Sequence, residues 1–160
     1  MRVGVLHPGE MGVTVLESLM ANGVSATWVK EGRSESTIRR ARSVPSLDTL
    51  EELAHSVETI ISVCPPSAAL DVALNISDKG FKGIYVDANA ISPLESRKIA
   101  ELFGAAFVDG GIIGPPAKEA GTTRIYLSGM RSREVVDLFE EGPLEAIALS
   151  ESSHPEEITA

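Results

Sequence analysis

The sequence predicts one α/β domain with a mostly parallel sheet covered by helices on both faces. Short apolar runs rich in β-branched residues alternate with amphipathic segments along the whole chain, which is typical of a parallel sheet with helical crossovers. The chain has 160 residues, 43% of them hydrophobic, which is enough for a single domain with its own core. We see no internal repeat and no linker, and we expect right-handed crossovers.

The first half of the chain predicts two strands and three helices. A strand over VGVLH precedes a helix over EMGVTVLESLMANG, whose apolar residues recur at helical spacing and whose end is marked by Asn22-Gly23. SATWVK is the second predicted strand and EGRS a turn. ESTIRRAR predicts a short helix, and VPSLDTLEELAHS contains another, with Ser46 or Asp48 as its N-cap.

The second half continues the alternation. VETIISVC predicts a buried strand that Pro65-Pro66 ends, and SAALDVALNISDKG a helix before the strand GIYVDA. SPLESRKIAELFG predicts a helix with Ser92 as N-cap, Pro93 in its first turn and Glu95 completing a capping box. The strand AAFVDG, the irregular loop GIIGPPAKEAGT, the strand TRIYLSG, the helix MRSREVVDLFEEG and the strand LEAIALS follow. The predicted domain covers 1–149, and 150–160 is expected to be a polar, frayed tail.

Composition excludes several classes of protein. The chain carries 14 Lys and Arg against 23 Asp and Glu, a formal charge of −9, so nucleic acid is not an expected partner. No apolar run is long enough to cross a bilayer, and we expect no membrane contact. Cys64 is the only cysteine and the N-terminus does not resemble a signal peptide, which together favour a cytoplasmic location.

The first strand runs into a turn, VGVLHPGEMG, that resembles the dinucleotide-binding pattern G-x-G-x-x-G except that His7 replaces the first glycine. Gly9 would let the backbone approach a pyrophosphate at the helix N-terminus, and Gly12 would let the helix pack on the strand. We expect His7-Pro8 to shape the turn rather than supply a base, and Glu10 to face solvent. The alternative is an ordinary βα turn that needs glycine only for its geometry.

Four further stretches fall at the carboxyl ends of predicted strands, where an open α/β sheet binds its ligand: EGRSEST, VCPPSAALDV, VDANAISP and VDGGIIGPP. In this order, and with the turn, they resemble the NAD(P)-binding domain of the 6-phosphogluconate and β-hydroxyacid dehydrogenase superfamily, from Arg2 to about Leu149. The resemblance is nearest to a branch with a separate helical C-terminal domain. It implies a Rossmann-type, doubly wound, three-layer α/β/α fold and an NAD(P)-dependent oxidoreductase acting on a CH–OH group.

The resemblance also implies cofactor-binding residues. The turn motif falls on His7 to Gly12, and the arginine that favours the 2′-phosphate of NADP falls on Arg33. A carboxylate at Glu31 is typical of NAD instead, so NAD stays as the alternative. EGRSEST has a second interpretation as a helix-capping loop. The implied cofactor residues are His7, Pro8, Gly9, Glu10, Met11, Gly12, Arg33, Ser34, Ser36, Cys64, Pro65, Pro66 and Asn89.

The substrate motifs match less well. The family's serine-rich motif falls on Asp87 to Pro93, with Asn89 in place of a serine, and its substrate motif on Asp109 to Pro115. There Ile113 replaces the serine that helps hold a substrate carboxylate, so the usual small β-hydroxyacid is not implied. The implied substrate contacts are Asn89, Gly110, Gly111 and Ile113, and GIIGPP has an alternative interpretation as a structural loop.

The family's catalytic lysine lies on a helix after the nucleotide domain, and no lysine follows Lys118. We therefore assign no catalytic residue and no metal ligand, and we expect either a piece of a longer dehydrogenase or a free-standing domain. The alternatives are a non-catalytic nucleotide-binding or regulatory module and a site for another nucleotide, such as an S-adenosyl cofactor. Small-molecule substrate and homo-oligomer remain expectations.

Overall fold

The computed structural model describes residues 1–149, and the predicted tail at 150–160 lies outside the described residues. Within the described range the strands are β1 (Arg2–Leu6), β2 (Ser25–Val29), β3 (Ser46–Leu47), β4 (Thr59–Ser62), β5 (Ile84–Asp87), β6 (Phe107–Ile113), β7 (Thr123–Ser128) and β8 (Leu144–Ala148). The helices are α1 (Glu10–Ala21), α2 (Glu35–Arg40), α3 (Leu50–Ser56), α4 (Ala69–Asp78), α5 (Pro93–Phe103) and α6 (Ser132–Val136). Short 3₁₀ turns cover Pro66–Ala68, Gly104–Ala106 and Asp137–Phe139.

The strands form one sheet in the order β3-β2-β1-β4-β5-β6-β7-β8. Neighbouring strands are parallel except β6 and β7, which pair antiparallel. The chain runs outwards from β1 through β2 to β3 and then crosses back to β4 on the other side of β1. The gap between the carboxyl ends of β1 and β4 is therefore the topological switch point, where folds of this kind bind ligands.

Two apolar cores lie on opposite faces of the sheet, because alternate residues of each buried strand point to opposite sides. Val3 and Val5 of β1 pack with Leu16 and Leu19 of α1 on one face. On the other face the core takes residues from α3, α4 and α5, including Leu53, Ile76 and Ile99. The predicted three-layer, mostly parallel fold is confirmed.

Most of the predicted elements are present, and the start of α5 is as expected. The hydroxyl of Ser92 accepts a hydrogen bond from the Glu95 amide at 3.2 Å, and Pro93 is the first helical residue. None of the helices formed by residues 1–149 is long and apolar enough to cross a membrane.

Three local predictions were wrong. Ser46 does not cap α3 but belongs to β3, a two-residue strand that pairs with the end of β2. Asp48 is not the cap either, because the Thr49 hydroxyl accepts from the Glu52 amide at 3.2 Å. The predicted irregular loop from residue 111 begins only at Gly114, since β6 continues to Ile113 by pairing with β7.

Candidate functional site

The turn between β1 and α1 has an unusual backbone at its first position. His7 has φ +63°, and it is the only non-glycine residue with a positive φ in the described part of the chain. Its carbonyl oxygen accepts a hydrogen bond from the Gly9 amide at 2.7 Å, which closes the turn. His7 therefore adopts the left-handed conformation that glycine takes most readily, and it stands where the dinucleotide pattern has its first glycine.

The two glycines of the turn have different surroundings. A Cβ on Gly12 would lie 2.7 Å from the carbonyl oxygen of His7, so the first turn of α1 packs directly on the backbone of the turn. A Cβ on Gly9 would meet nothing nearer than the same oxygen at 4.0 Å. Gly12 thus serves helix packing, whereas Gly9 faces open space above the helix N-terminus.

The N-terminus of α1 is open to that space. Gly9 is the N-cap residue, and no side chain among the described residues caps the helix. The N–H groups of the first turn point along the helix axis and carry its partial positive charge. An anion placed above Gly9 would be held by these amides without a basic side chain on α1.

A cavity of about 350 Å³, here called the turn pocket, lies at the switch point. Its walls come from the segments that follow β1, β2 and β4. The lining residues are His7, Gly9, Glu10, Met11, Gly12, Arg33, Thr37, Val63, Cys64 and Pro65. The structure thus brings eight of the predicted cofactor residues together.

Some placements differ from the expectation. Glu10 is exposed, as predicted, but it also lines the turn pocket. Thr37 and Val63 line it as well and were missed. Thr37 lies inside the EGRSEST stretch and Val63 directly precedes Cys64, so both were adjacent to predicted positions. Pro8 is buried and Pro66 is exposed, and neither lines the turn pocket.

Arg33 reaches the turn from the segment after β2. Its guanidinium Nη1 contacts Nδ1 of His7, so the arginine donates and the imidazole accepts. Burial, and then the charge of Arg33, lower the pKa of His7 to about 4. The imidazole is therefore neutral near pH 7. Its Nδ1 is engaged by Arg33, which agrees with a role in shaping the turn rather than in proton transfer.

The hydroxyl groups near Arg33 serve the start of α2. Ser34 is the N-cap of α2, and its hydroxyl accepts from the Thr37 amide at 3.2 Å. The hydroxyl of Ser36 lies 3.0 Å from that of Ser34, and both serines are exposed. The capping interpretation of EGRSEST is therefore correct for Ser34, while Arg33 is left to face the turn pocket.

Asn89 does not line the turn pocket, but its side chain forms hydrogen bonds with residues of the pocket wall and of β4. Its side-chain oxygen accepts from the Cys64 amide at 2.7 Å, and its side-chain nitrogen donates to Ser62 at 3.2 Å. Its own amide donates to Asp87 at 2.9 Å. With 6% of its surface exposed, Asn89 holds the Cys64-Pro65 loop in place, and its direct contact with cofactor or substrate stays a prediction. Burial raises the pKa of the Cys64 thiol, which keeps it protonated.

Two buried carboxyl groups, which the sequence analysis did not single out, lie side by side at the ends of β5 and β6. Asp87 and Asp109 are register partners, and the Ser96 hydroxyl donates to Asp109 at 3.0 Å. Burial raises the pKa of Asp87 to about 6. Burial, and in part the Asp87 charge, raise the pKa of Asp109 to about 7. Oδ2 of Asp87 has no hydrogen-bond partner among the described residues.

The predicted substrate residues Gly110, Gly111 and Ile113 all lie within β6, although only Gly110 was predicted to belong to the strand. Gly110 is a packing position, because its Cβ would lie 3.2 Å from the Asp87 carbonyl oxygen. Ile113 ends the strand with 67% of its surface exposed. None of the three lines the turn pocket, and their contact with a substrate stays a prediction.

The loop after β6 returns to α1. The Ala117 amide donates to the Thr14 hydroxyl at 2.9 Å, and that hydroxyl donates to the Met11 carbonyl at 2.7 Å. A second cavity of about 380 Å³ lies away from the turn, between the end of α5 and the strands β6 and β7, with Gly104, Asp109 and Met130 in its walls. We call it the α5–β7 cavity.

No family model matches the chain, but comparison with known proteins finds one similar sequence and several similar structures. The "Uncharacterized 28.5 kDa protein in 7S RNA 5'region" of Methanothermus fervidus is 37% identical over 117 residues, covering 71% of this chain and 46% of that protein. A conserved protein of unknown function, whose structure was described as similar to 3-hydroxyacid dehydrogenases, is 32% identical with a TM-score of 0.83. That match covers 99% of this chain and 60% of the other.

More distant structures share the fold. An imine reductase from Bacillus cereus has a TM-score of 0.77 at 19% identity, covering 99% of this chain and 57% of that one. The 3-hydroxyisobutyrate dehydrogenase of Mycobacterium tuberculosis has a TM-score of 0.75 at 14% identity, covering 98% and 57%. The chain therefore has the fold of the NAD(P)-binding domain of 3-hydroxyacid dehydrogenase-like proteins, and the resemblance seen in the sequence is confirmed. It spans less than two thirds of the length of each of these relatives.

Proposed function

We propose that this chain binds a nicotinamide dinucleotide in the turn pocket, as the cofactor domain of an oxidoreductase. The observation that carries this proposal is the turn pocket itself. It joins an uncapped helix N-terminus, an arginine and the Cys64-Pro65 loop at the topological switch point. A pyrophosphate above Gly9 would accept from the first amides of α1, and the two ends of the ligand would extend towards Arg33 and towards Cys64.

We infer that the preferred dinucleotide is NADP. Arg33 forms no ion pair with a carboxylate among residues 1–149, so its guanidinium is available to a phosphate beside the adenosine ribose. Ser34 and Ser36 stand next to it as further donors. Among structures with this fold, an imine reductase from Myxococcus stipitatus binds NAD+ and a pyrroline carboxylate reductase from Plasmodium falciparum binds NADP. Glu31 lines a small cleft beside Arg33 and remains the feature that favours NAD.

The whole protein's reaction is proposed to be hydride transfer at a CH–OH group or a related carbon–nitrogen bond, in line with the names of the structural relatives. A bound nicotinamide would supply the hydride chemistry. The chain's own part is to orient the nicotinamide. Asn89 fixes the Cys64 amide, and the Ala117–Thr14 contact fixes the loop after β6 beside α1.

The single cysteine supports a reducing, cytoplasmic location.

Calorimetric titration tests the cofactor assignment. Wild-type chain, Arg33→Ala and Arg40→Ala are titrated with NADP+ and with NAD+. Arg40 is an exposed arginine on α2 outside the turn pocket, so it serves as a matched control. Arg33→Ala should weaken NADP+ by about 10–100-fold, the effect of losing a hydrogen bond between charged groups, and should change NAD+ by less than about twofold. Equal losses for both nucleotides would remove the 2′-phosphate assignment, and no binding of either by wild type would overturn the function.

A further inference from the structure

The Arg33 guanidinium extends from the segment after β2 to His7 in the β1–α1 turn. Arg33 Nε is only weakly tied to its own segment, at 3.5 Å from the Glu31 carbonyl oxygen. The side chain's other contact runs from Nη1 to His7 Nδ1 and joins residues 26 positions apart in sequence. A long, flexible side chain with one distant acceptor takes its direction from that acceptor.

His7 holds this position although its backbone is unfavourable for it. A residue with a Cβ is strained at φ +63°, and glycine would adopt the same turn freely. The carbonyl oxygen of His7, which closes the turn on Gly9, would be present in any residue. What a glycine would lose at this position is the imidazole, and the imidazole's one side-chain partner among the described residues is Arg33.

We propose that His7 is a positioning residue that holds the Arg33 guanidinium over the turn pocket, and that it thereby sets the preference for a nucleotide with a 2′-phosphate. This inference rests on the proposed function, since it assigns a residue to the selectivity of the same site. Arg33 supplies the charge, and His7 supplies its direction. At the first-glycine position of the dinucleotide pattern, His7 thus provides a hydrogen-bond acceptor that glycine lacks.

The groups around His7 allow this role. The titratable side chains that share the two clefts with it are Glu10, Glu31, Arg33 and Cys64. Burial, and then the charge of Arg33, lower the pKa of His7 to about 4, so Nδ1 keeps its lone pair through the neutral pH range. The acceptor is therefore present under the conditions in which a dinucleotide would bind.

The test compares His7→Gly and His7→Asn with wild type by calorimetry with NADP+ and NAD+. His7→Gly relieves the strained φ and removes the acceptor, so it should fold normally and lower the NADP+ to NAD+ affinity ratio about tenfold. Asparagine tolerates a positive φ and places an amide oxygen near the site of Nδ1, so His7→Asn should retain most of the ratio.

The outcomes separate the two claims. The role of His7 is overturned if His7→Gly has the wild-type NADP+ to NAD+ affinity ratio while Arg33→Ala loses affinity for NADP+ but not for NAD+. The proposed function would then still stand. No nucleotide binding by wild type overturns both. A ligand-free readout is the NMR titration of the His7 ring, whose pKa should rise in Arg33→Ala and stay near 4 in Arg40→Ala. A His7 pKa that is the same in Arg33→Ala as in wild type contradicts the proposal.

Discussion

The two glycines of the β1–α1 turn allow ligand binding and folding to be tested separately. Alanine at Gly12 should lower stability, whereas alanine at Gly9 should lower ligand affinity. At Gly12 the new Cβ would lie 2.7 Å from the His7 carbonyl oxygen, so the turn and α1 must move apart. Overpacking of this kind costs about 1–3 kcal/mol, and alanine regains about 0.5–1 kcal/mol over glycine within a helix. With mid-range values of about 2 kcal/mol for the overpacking and about 0.8 kcal/mol regained, the net loss for Gly12→Ala is about 1 kcal/mol, which lowers the Tm by about 2–4 °C in a domain of this size.

At Gly9 the same methyl group enters open space. The backbone there has φ −69°, which alanine adopts without strain, and the nearest atom is 4.0 Å away. Alanine is a poorer N-cap than glycine, but it restricts the unfolded chain more, and these effects of about 0.5–1 kcal/mol oppose each other. Gly9→Ala should therefore keep the wild-type Tm. The methyl group occupies the space above the helix amides, so NADP+ affinity should fall at least tenfold, and Gly9→Val should abolish binding.

The assays are thermal unfolding, followed by the fluorescence of Trp28, and calorimetry with NADP+. Trp28 is the only tryptophan of the chain and is 1% exposed in β2, so it reports loss of the core. Undiminished NADP+ affinity in a folded Gly9→Val chain would show that the ligand lies elsewhere. A Tm of Gly12→Ala equal to that of wild type would refute the close approach between α1 and the turn.

Other predictions concern the groups behind the pocket wall. Asn89→Ala should lower stability by about 1–3 kcal/mol, because the part-buried Cys64 amide loses its acceptor and the buried Ser62 hydroxyl loses one of its two partners. A Ser36→Ala chain, changed at an exposed hydroxyl, is the control, and equal denaturation midpoints would contradict the prediction. Asp109 has its pKa raised to about 7 in the folded chain, above its unfolded value, so its ionisation opposes folding and stability should fall as pH rises from about 4 to 7. Asp109→Asn should reduce that fall, measured as the Tm difference between pH 5 and pH 8, while an unaltered difference would show that Asp109 does not titrate in this range. His7 acts with the opposite sign, since its lowered pKa costs stability below about pH 6.5, and Arg33→Ala should reduce that loss in acid.

Local patterns in the sequence were sufficient for the turn and for most elements. The apolar run of β1, the Gly9 and Gly12 spacing and the Ser92 cap each depend on neighbouring residues, and the structure has all three. β3 was missed because two residues give no periodic signal, and it exists only through pairing with β2. The extension of β6 to Ile113 likewise depends on pairing with β7.

The candidate site shows the same division. The segments that line the turn pocket were predicted, because each follows a strand at the carboxyl edge of the sheet. The contact of Arg33 with His7 joins residues 26 positions apart, and the Asn89–Cys64 hydrogen bond joins residues 25 positions apart. The residue types alone do not predict either contact. The raised pKa values of Asp87 and Asp109 follow from burial at the ends of β5 and β6, which a sequence pattern does not specify.

The most direct measurement is the map of backbone amide shifts in the NMR spectrum of the labelled chain as NADP+ is added. We expect the largest shifts on residues 9–12 at the start of α1, with a second group around Arg33 to Thr37 and a third at Val63 and Cys64. NAD+ should move the first and third groups but leave the second nearly unchanged. Shifts centred on the α5–β7 cavity, at Gly104, Asp109 and Gly129, or no shifts at millimolar NADP+, would contradict a dinucleotide site at the β1–α1 turn.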